Sequence, residues 1–208
     1  LKVLRPREGE KIELFDGRGH ARECVFEKGH LRAVGELVFF EKSSVVLTLF
    51  ACVTKAHRWD WMLEKATELG VDRIVPVISE RTIVKIDSSS RKSKQERWQK
   101  VVLEAVRQSG GYWVPEISEI LDFSQSLEEV QKTTCFIGAL TNPPSPRFLE
   151  TLFKSKDATQ GEIGFFVGPE GDFTPDELNK LLQVATPVSL GNAVLRAETA
   201  AILSVGIM

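Results

Sequence analysis

The sequence lacks the cysteine pattern of a metal site and that of a disulfide-stabilised secreted domain. Its 208 residues contain three cysteines, Cys24, Cys52 and Cys135. They are scattered, odd in number and without the close spacing of metal ligands. We therefore expect reduced thiols in a cytoplasmic protein, with no bound metal.

Long hydrophobic runs and a dominant charge are missing as well. No segment reaches the uninterrupted apolar length of a membrane span, and the start LKVLRPREGE does not have the pattern of a signal peptide. A net charge of −2, with 42% hydrophobic residues, is typical of an ordinary soluble globular protein. We expect no membrane partner. Any RNA contact must come from a local basic patch, because phosphate neutralisation needs clustered Lys and Arg.

Two loops near the C-terminus carry the most functional information. Ile163 to Val167 is an apolar run that predicts a buried strand, and Gly168-Pro169-Glu170-Gly171 ends it. Val188 to Leu190 predicts a second short strand, which Gly191-Asn192 ends. Ligands of parallel α/β sheets bind in crevices at the carboxyl ends of strands. The pair of loops therefore predicts a binding site.

Each of these loops leads into a predicted helix. Thr174 suits the N-cap of the first helix, with Pro175 at the first helical position and Glu177 completing a capping box. The second helix is expected to begin at Ala197, with Glu198 in its first turn. Neither loop contains the Gly-Lys-Ser/Thr of a Walker loop or a G-x-G-x-x-G dinucleotide motif. We therefore expect a ligand without phosphates.

The same stretch carries a family resemblance. VGPEGDFTPDEL, followed by SLGNAVLRAETA, resembles the knot signature of the SPOUT methyltransferases. Among these it is most similar to the ribosomal RNA small subunit methyltransferase E family, which methylates N3 of a uridine in 16S rRNA. The resemblance implies an α/β fold with a deep trefoil knot, S-adenosylmethionine as the cofactor, and a homodimer that acts on the small ribosomal subunit. Knots are rare exceptions among folds, so composition alone does not predict one.

By this resemblance the cofactor lies against the ends of three strands. The residues expected to bind it are Ala139, Leu140, Thr141, Gly168, Pro169, Glu170, Gly171, Leu190, Gly191, Asn192, Val194 and Leu195. Arg196 is the candidate catalytic residue, because an arginine facing the uracil oxygens would favour the anionic base. An ion pair of Arg196 with Glu198 or Glu170 is an equally open alternative. No general base is identified, since no histidine lies in this stretch.

The N-terminal residues predict β-structure. Lys11 to Phe15 and His20 to Phe26 form a predicted hairpin, and Leu31 to Phe40 a third strand. Short strands with turns this close together suggest a small barrel. A generic barrel is one interpretation; by resemblance, residues 1–42 form a PUA-like RNA-binding β-barrel domain and residues 43–208 the knot methyltransferase domain.

The sequence pattern changes at the start of the second region. Val45 to Val53 predicts a strand, Met62, Leu63 and Ala66 mark a helix, and Ile74 to Ile78 predicts the next strand. This order predicts a βαβ unit. KATELGVDRIVPVISER within it resembles the family's equivalent stretch, and structural packing is the role we expect for most of these residues.

A basic stretch follows this unit. Residues 81–107 contain eight Lys or Arg and three acidic residues. Most of this stretch is predicted to form a helix, whose buried face includes Trp98, Val102 and Ala105. A solvated helix face and an RNA contact are comparably good interpretations. The residues expected to bind RNA are Arg5, Arg18, Arg22, Arg91 and Lys92. Further on, Cys135 to Leu140 predicts a strand, and a later helix is expected to have one apolar face, formed by Phe148, Leu149, Leu152 and Phe153.

Three positions depart from the family pattern. Arg107 stands where a glutamate usually precedes the Gln-Ser-Gly sequence, Gly111 where an arginine usually follows it, and Ala193 where a second arginine usually follows Leu-Gly-x. The departures at Gly111 and Ala193 support one alternative, a non-catalytic RNA-binding protein with a degenerate knot domain. Another alternative is a SPOUT methyltransferase that acts on tRNA or 23S rRNA.

Overall fold

The computed structural model describes residues 6–139, 143–155 and 161–208. These residues form two β-sheets, of which the first is antiparallel. Its strands are ordered β1-β2-β3, and β4 also pairs with β2. The four strands are β1 (Lys11–Phe15), β2 (His20–Glu27), β3 (His30–Ala33) and β4 (Val38–Phe39).

The prediction of one strand from Leu31 to Phe40 is wrong. The chain turns away from the sheet between β3 and β4, because the N–H groups of Val34 and Gly35 both donate to the carbonyl of Glu23, at 3.0 and 3.1 Å. The side chain of Glu23 also occupies the space that a Cβ at Gly35 would take, at 3.1 Å. The segment therefore pairs twice with β2, once on either side of this turn.

The second sheet has seven strands, and all of its pairings are parallel. The strand order is β11-β9-β10-β5-β6-β7, with β8 also on β6. The strands are β5 (Val45–Cys52), β6 (Arg73–Ile78), β7 (Glu116–Ile117), β8 (Leu121–Asp122), β9 (Thr134–Gly138), β10 (Gly161–Val167) and β11 (Thr186–Val188). The helices are α1 (Ala56–Glu68), α2 (Ser88–Ser109), α3 (Phe123–Val130), α4 (Phe148–Lys154), α5 (Pro175–Leu181) and α6 (Ala197–Ile207). The predicted βαβ unit is confirmed as β5-α1-β6.

Helices cover both faces of this sheet, because successive side chains of a strand point to opposite faces. On one face Leu49 of β5 belongs to a core with Trp59 of α1 and Val205 of α6. On the other face Phe50 belongs to a core with Leu181 of α5. The result is a three-layer α/β/α arrangement in which the strand ends remain accessible.

The two sheets are joined at the turn between β1 and β2. The N–H of Gly19 donates to the carbonyl of Tyr112 at 3.0 Å, and the indole N–H of Trp113 donates to the carbonyl of Phe40 at 3.0 Å. The rings of Phe40 and Tyr112 stack, with centroids 3.7 Å apart. Gly19 has φ +92°, and a Cβ there would lie 2.5 Å from the Trp113 ring. The turn therefore requires glycine at this position.

The end of β11 contacts Ala139, which follows β9, and the residues that lead into α4. The N–H of Ala139, after β9, donates to the carbonyl of Val188 at 3.2 Å. On the opposite side, the N–H of Ser189 donates to the carbonyl of Pro146 at 2.8 Å, and the N–H of Phe148 donates to the carbonyl of Ser189 at 3.0 Å. Strand β11 ends at Val188, earlier than predicted. The chain after it passes between Ala139 on one side and residues 146–148 on the other, as a knotted fold requires.

The cysteines are free thiols in the protein interior. Cys24, Cys52 and Cys135 are all buried and unpaired. Burial raises the pKa of the Cys52 and Cys135 thiols to about 12, so both stay protonated at neutral pH.

Among the helices that the structure describes, none combines the length and the apolar character needed to cross a membrane.

Candidate active site

The predicted capping box of α5 is confirmed, and it has a second function. The Thr174 hydroxyl accepts from the N–H of Glu177 at 3.3 Å, and the Glu177 carboxylate accepts from the N–H of Thr174 at 3.0 Å. The other Glu177 oxygen accepts from the N–H of Glu80, which follows β6, at 2.9 Å. The buried Glu177 side chain therefore ties the start of α5 to the loop after β6.

Arg81 holds the neighbouring part of the loop that follows β10. Its guanidinium donates to the carbonyls of Gly171 and Phe173, at 3.1 and 3.3 Å. The segment after β6 thus fixes the path of residues 168–173 by two separate side-chain contacts. From the sequence we expected a packing role for most residues of this segment. The residue spacing did not reveal either contact, because both partners lie about 90 or more positions further along the chain.

A cavity of about 460 Å³ lies where β9, β10 and β11 end. Its volume is within the range typical of small-molecule sites. Backbone of the loops after these strands forms one part of the wall. Apolar residues form much of the rest, among them Phe165, Phe173, Leu178, Val188, Leu190 and Ala200, and the charged residues Arg58, Glu170, Asp172 and Arg196 also line the cavity. The cavity therefore combines a largely apolar wall with glycine-containing loops and a few charged residues.

Most of the residues predicted to bind the cofactor lie in the wall of this cavity. Those that line it are Ala139, Gly168, Pro169, Glu170, Leu190, Gly191, Val194 and Leu195. Gly171 and Asn192 lie on the same loops but outside the wall, and Gly171 accepts from Arg81 instead. Leu140 and Thr141 lie outside the described residues.

Gly168 is the position in this cavity where a side chain has least room. A Cβ there would lie 2.9 Å from the Phe173 ring, which is itself held between Phe123 and Phe166, with ring centroids 5.8 and 5.6 Å away. Gly168→Ala should lower the free energy of unfolding by about 1–3 kcal/mol through overpacking, as measured by urea denaturation. The control is Gly171→Ala, whose Cβ would make an ordinary 3.5 Å contact with Arg81; equal losses in both variants would contradict this reasoning.

Arg196, the predicted catalytic residue, borders the cavity. It is exposed, occupies the N-cap of α6 and lines the wall. The alternative ion pair is not formed, because no acidic group of the described residues lies within 4.0 Å of its guanidinium, whereas Glu170 and Glu198 both pair with Arg58. The side chain is therefore available to a ligand, and its catalytic role remains a prediction.

Sequence reasoning missed several residues of the cavity wall, among them Asp172, Phe173 and Arg58, which lies in the first turn of α1. Arg58 Nη1 lies 3.5 Å from Glu170 Oε1, and its Nε lies 3.8 Å from Glu198 Oε1. The second oxygen of each carboxylate is buried and has no hydrogen-bond partner among the residues described. The position of Arg58 could have indicated its role. Arg58 follows strand β5, which is parallel to β10 and ends at the same edge of the sheet.

Two of the residues predicted to bind RNA are engaged within the protein. Arg22 Nε donates to the carbonyl of Gly35 at 2.9 Å. The Arg91 guanidinium donates to the carbonyl of Ile120 at 2.9 Å and to the carboxylate of Asp122 at 2.5 Å. Arg91 therefore ties α2 to the segment that contains β8, and an RNA contact would have to use the remaining donors of these guanidinium groups.

The other predicted RNA-binding residues differ in their surroundings. Arg18 and Lys92 are exposed, and neither forms an ion pair with any acidic side chain that the structure describes. Arg5 lies outside the described residues.

Within the described ranges there is no group of three or more His, Cys, Asp or Glu side chains that could hold a metal ion.

The knotted parallel sheet and its ligand-sized cavity define a methyltransferase of the SPOUT class. A family model described as an RNA methyltransferase domain matches residues 41–208, and one described as an RNA methyltransferase PUA domain matches residues 1–35. The chain is 31% identical to the ribosomal RNA small subunit methyltransferase E of Mycobacterium bovis, over 98% of this chain and 79% of that protein. The chain belongs to the ribosomal RNA small subunit methyltransferase E family.

Further relatives and solved structures agree with this assignment. The Synechocystis protein of the same name is 32% identical over 96% of this chain, which spans 65% of that relative's length. The Neisseria gonorrhoeae methyltransferase E, bound to S-adenosylmethionine, is 32% identical with a TM-score of 0.81, over 98% of this chain and 84% of that one. A Legionella pneumophila protein solved with the same cofactor is 26% identical with a TM-score of 0.87, over 99% and 84% of the two chains. The predicted fold, an α/β knot domain with an N-terminal PUA-like domain, is confirmed, as is S-adenosylmethionine as the cofactor of the family.

Proposed function

We propose that this protein transfers a methyl group from S-adenosylmethionine to N3 of a uridine in the 16S rRNA of the small ribosomal subunit. The observation that carries the proposal is the cavity at the knot, bordered by Arg196, whose guanidinium pairs with no acidic side chain among the described residues. The names of the relatives support the substrate class, and the two cofactor-bound structures support the methyl donor.

The residues of the cavity fit this cofactor. The apolar wall suits the adenine ring, and peptide groups of the loops after β9, β10 and β11 would hydrogen-bond its polar edge. Arg58 and Glu170 supply charged groups at the same cavity, which suits a ligand that carries both a carboxylate and an ammonium group. S-adenosylmethionine would supply a sulfonium-bound methyl group that its positive charge already activates.

The protein's own contribution is positioning and electrostatics. Uridine N3 carries a proton in the neutral base and becomes nucleophilic only when this proton leaves. Arg196, at the N-cap of α6, would face the uracil oxygens and stabilise the anionic base. The loops that hold the cofactor would align the base with the methyl group, which converts an encounter between two molecules into a reaction within one complex.

The RNA must present its uridine unpaired or flipped out of a helix, because the base edge is otherwise inaccessible. We propose residues 1–42 as the RNA-binding domain and residues 43–208 as the catalytic domain, with exposed Arg18 and Lys92 among the phosphate contacts.

We also propose a homodimer, as the resemblance implies. A mass near that of one 23.2 kDa chain in light scattering at micromolar concentration would contradict the dimer.

The experiment incubates the purified protein and S-adenosylmethionine with small ribosomal subunits from cells that lack the modification. Mass spectrometry of the digested rRNA should then reveal 3-methyluridine in 16S rRNA, and parallel reactions with large subunits and with tRNA should give none. Methylation of 23S rRNA or tRNA alone would favour the alternative substrates. Failure to bind the cofactor in calorimetry would favour a non-catalytic RNA-binding protein.

A further inference from the structure

The contact between Arg58 and Glu170 leaves much of both side chains unused. Their closest atoms are 3.5 Å apart, which makes a long hydrogen bond. Arg58 has five N–H donors, and its side chain is 41% exposed. Glu170 is 18% exposed, and its Oε2 is buried with no hydrogen-bond partner among the described residues. Both residues line the cavity. Its wall therefore contains N–H donors of Arg58 and a carboxylate oxygen of Glu170 that a ligand could use.

Burial makes the unpaired oxygen of Glu170 costly. A buried carboxylate oxygen without a donor loses its hydration and gains nothing in return. Such a group in a cavity wall therefore fits a ligand that brings N–H donors, above all a positively charged one. The neighbouring guanidinium is the matching partner for a carboxylate, which arginine binds through two parallel hydrogen bonds.

Glu198 forms an ion pair with Arg58 on the side away from the cavity. Its side chain is 7% exposed and lies 3.8 Å from Arg58 Nε, and it sits in the first turn of α6, where the helix dipole stabilises a negative charge. Glu198 is outside the cavity wall, whereas Arg58 and Glu170 belong to it. The three residues thus form a chain of ion pairs. Buried Glu198 pairs with Arg58, and Arg58 pairs with Glu170 in the cavity wall.

We propose that Arg58 and Glu170 form the subsite for the α-amino-acid end of the cofactor. Glu170 accepts hydrogen bonds from the ammonium group, Arg58 donates to the carboxylate, and Glu198 is a positioning residue that holds the guanidinium. This inference rests on the proposed function for the identity of the ligand only, because it concerns binding and not methyl transfer.

Calorimetry with four ligands tests the assignment group by group. The probes are S-adenosylmethionine, S-adenosylhomocysteine, decarboxylated S-adenosylmethionine and 5′-methylthioadenosine, which lacks the whole amino-acid end. Glu170→Gln should weaken the first three by about 10- to 100-fold, the usual range for a charge-assisted hydrogen bond, and leave the fourth unchanged. Arg58→Gln should weaken the first two and spare the two ligands without a carboxylate.

The control is Glu64→Gln, which makes the same change on the solvent side of α1, where Glu64 pairs with Lys65. Equal weakening of 5′-methylthioadenosine in the Glu170 variant would overturn the proposal, because the contact would then involve the nucleoside. Unchanged binding of all four ligands in both site variants would overturn it as well. If the wild-type protein binds none of the four ligands, the proposed function fails with it. Binding without methylation of rRNA leaves this subsite standing and contradicts the proposed function alone.

Discussion

Arg196→Ala is expected to lower the rate of 3-methyluridine formation by about 10²- to 10³-fold, the usual cost of removing one donor aimed at a developing negative charge. The side chain lines the cavity and has no acidic partner within the described ranges, so its loss should leave no buried carboxylate unpaired. Cofactor affinity should therefore stay nearly unchanged. Single-turnover assays with small subunits, together with calorimetry, separate the two quantities.

Two further variants make this prediction specific. Arg196→Lys keeps the positive charge but loses the planar pair of donors, so its rate should fall between those of the wild type and the alanine variant. Arg107→Ala removes an exposed arginine that pairs with Glu104 on α2, and it should change the rate little. A full rate in Arg196→Ala would remove this residue from the mechanism. A rate restored by saturating RNA would assign it to substrate binding instead.

The local features of the site were predictable because their causes lie within a few residues. The capping box at Thr174 and Glu177 is one example, since its hydrogen bonds span three positions. The start of α6 at Ala197 and the strand before Gly168 were also correct. Glycine, proline and capping residues act on their own neighbourhood, so a single sequence is enough to locate them.

The contacts that assemble the site could not be predicted in this way. Arg58 and Glu170 are 112 positions apart, and Arg81 and Gly171 are 90 apart. Helical spacing indicates which side chains of α1 face the core, but Arg58 lies at the helix start, where a side chain can reach past the end of the sheet. Only the strand order, with β5 beside β10, brings these residues together.

Helix α4 shows the same limit for packing. Sequence spacing predicted one apolar face made of Phe148, Leu149, Leu152 and Phe153. In the structure only Phe148 and Leu152 are buried, at 1% and 7% exposure, whereas Leu149 and Phe153 are 49% and 80% exposed. A short helix at the end of the sheet contacts it along a narrow strip, and the pattern alone does not give the width of that contact.

This difference within α4 leads to the largest expected effect on stability. Phe148 packs against Phe136 and Phe165, with ring centroids 5.1 and 4.9 Å away, and its N–H donates to the carbonyl of Ser189, which follows β11. Phe148→Ala should lower the free energy of unfolding by about 3–5 kcal/mol, because it leaves a cavity among rings that cannot close in. Urea denaturation with linear extrapolation measures this loss.

Phe153→Ala provides the matched control, since it makes the same truncation on the same helix. Phe153 is 80% exposed, so its removal should change the free energy of unfolding by no more than about 0.5 kcal/mol. The N–H of Phe148 donates to Ser189 through the backbone, and both variants retain this bond. A large loss in Phe148→Ala alone therefore reports ring packing around the knot, whereas equal losses would mean that helix formation matters and that the buried contact does not.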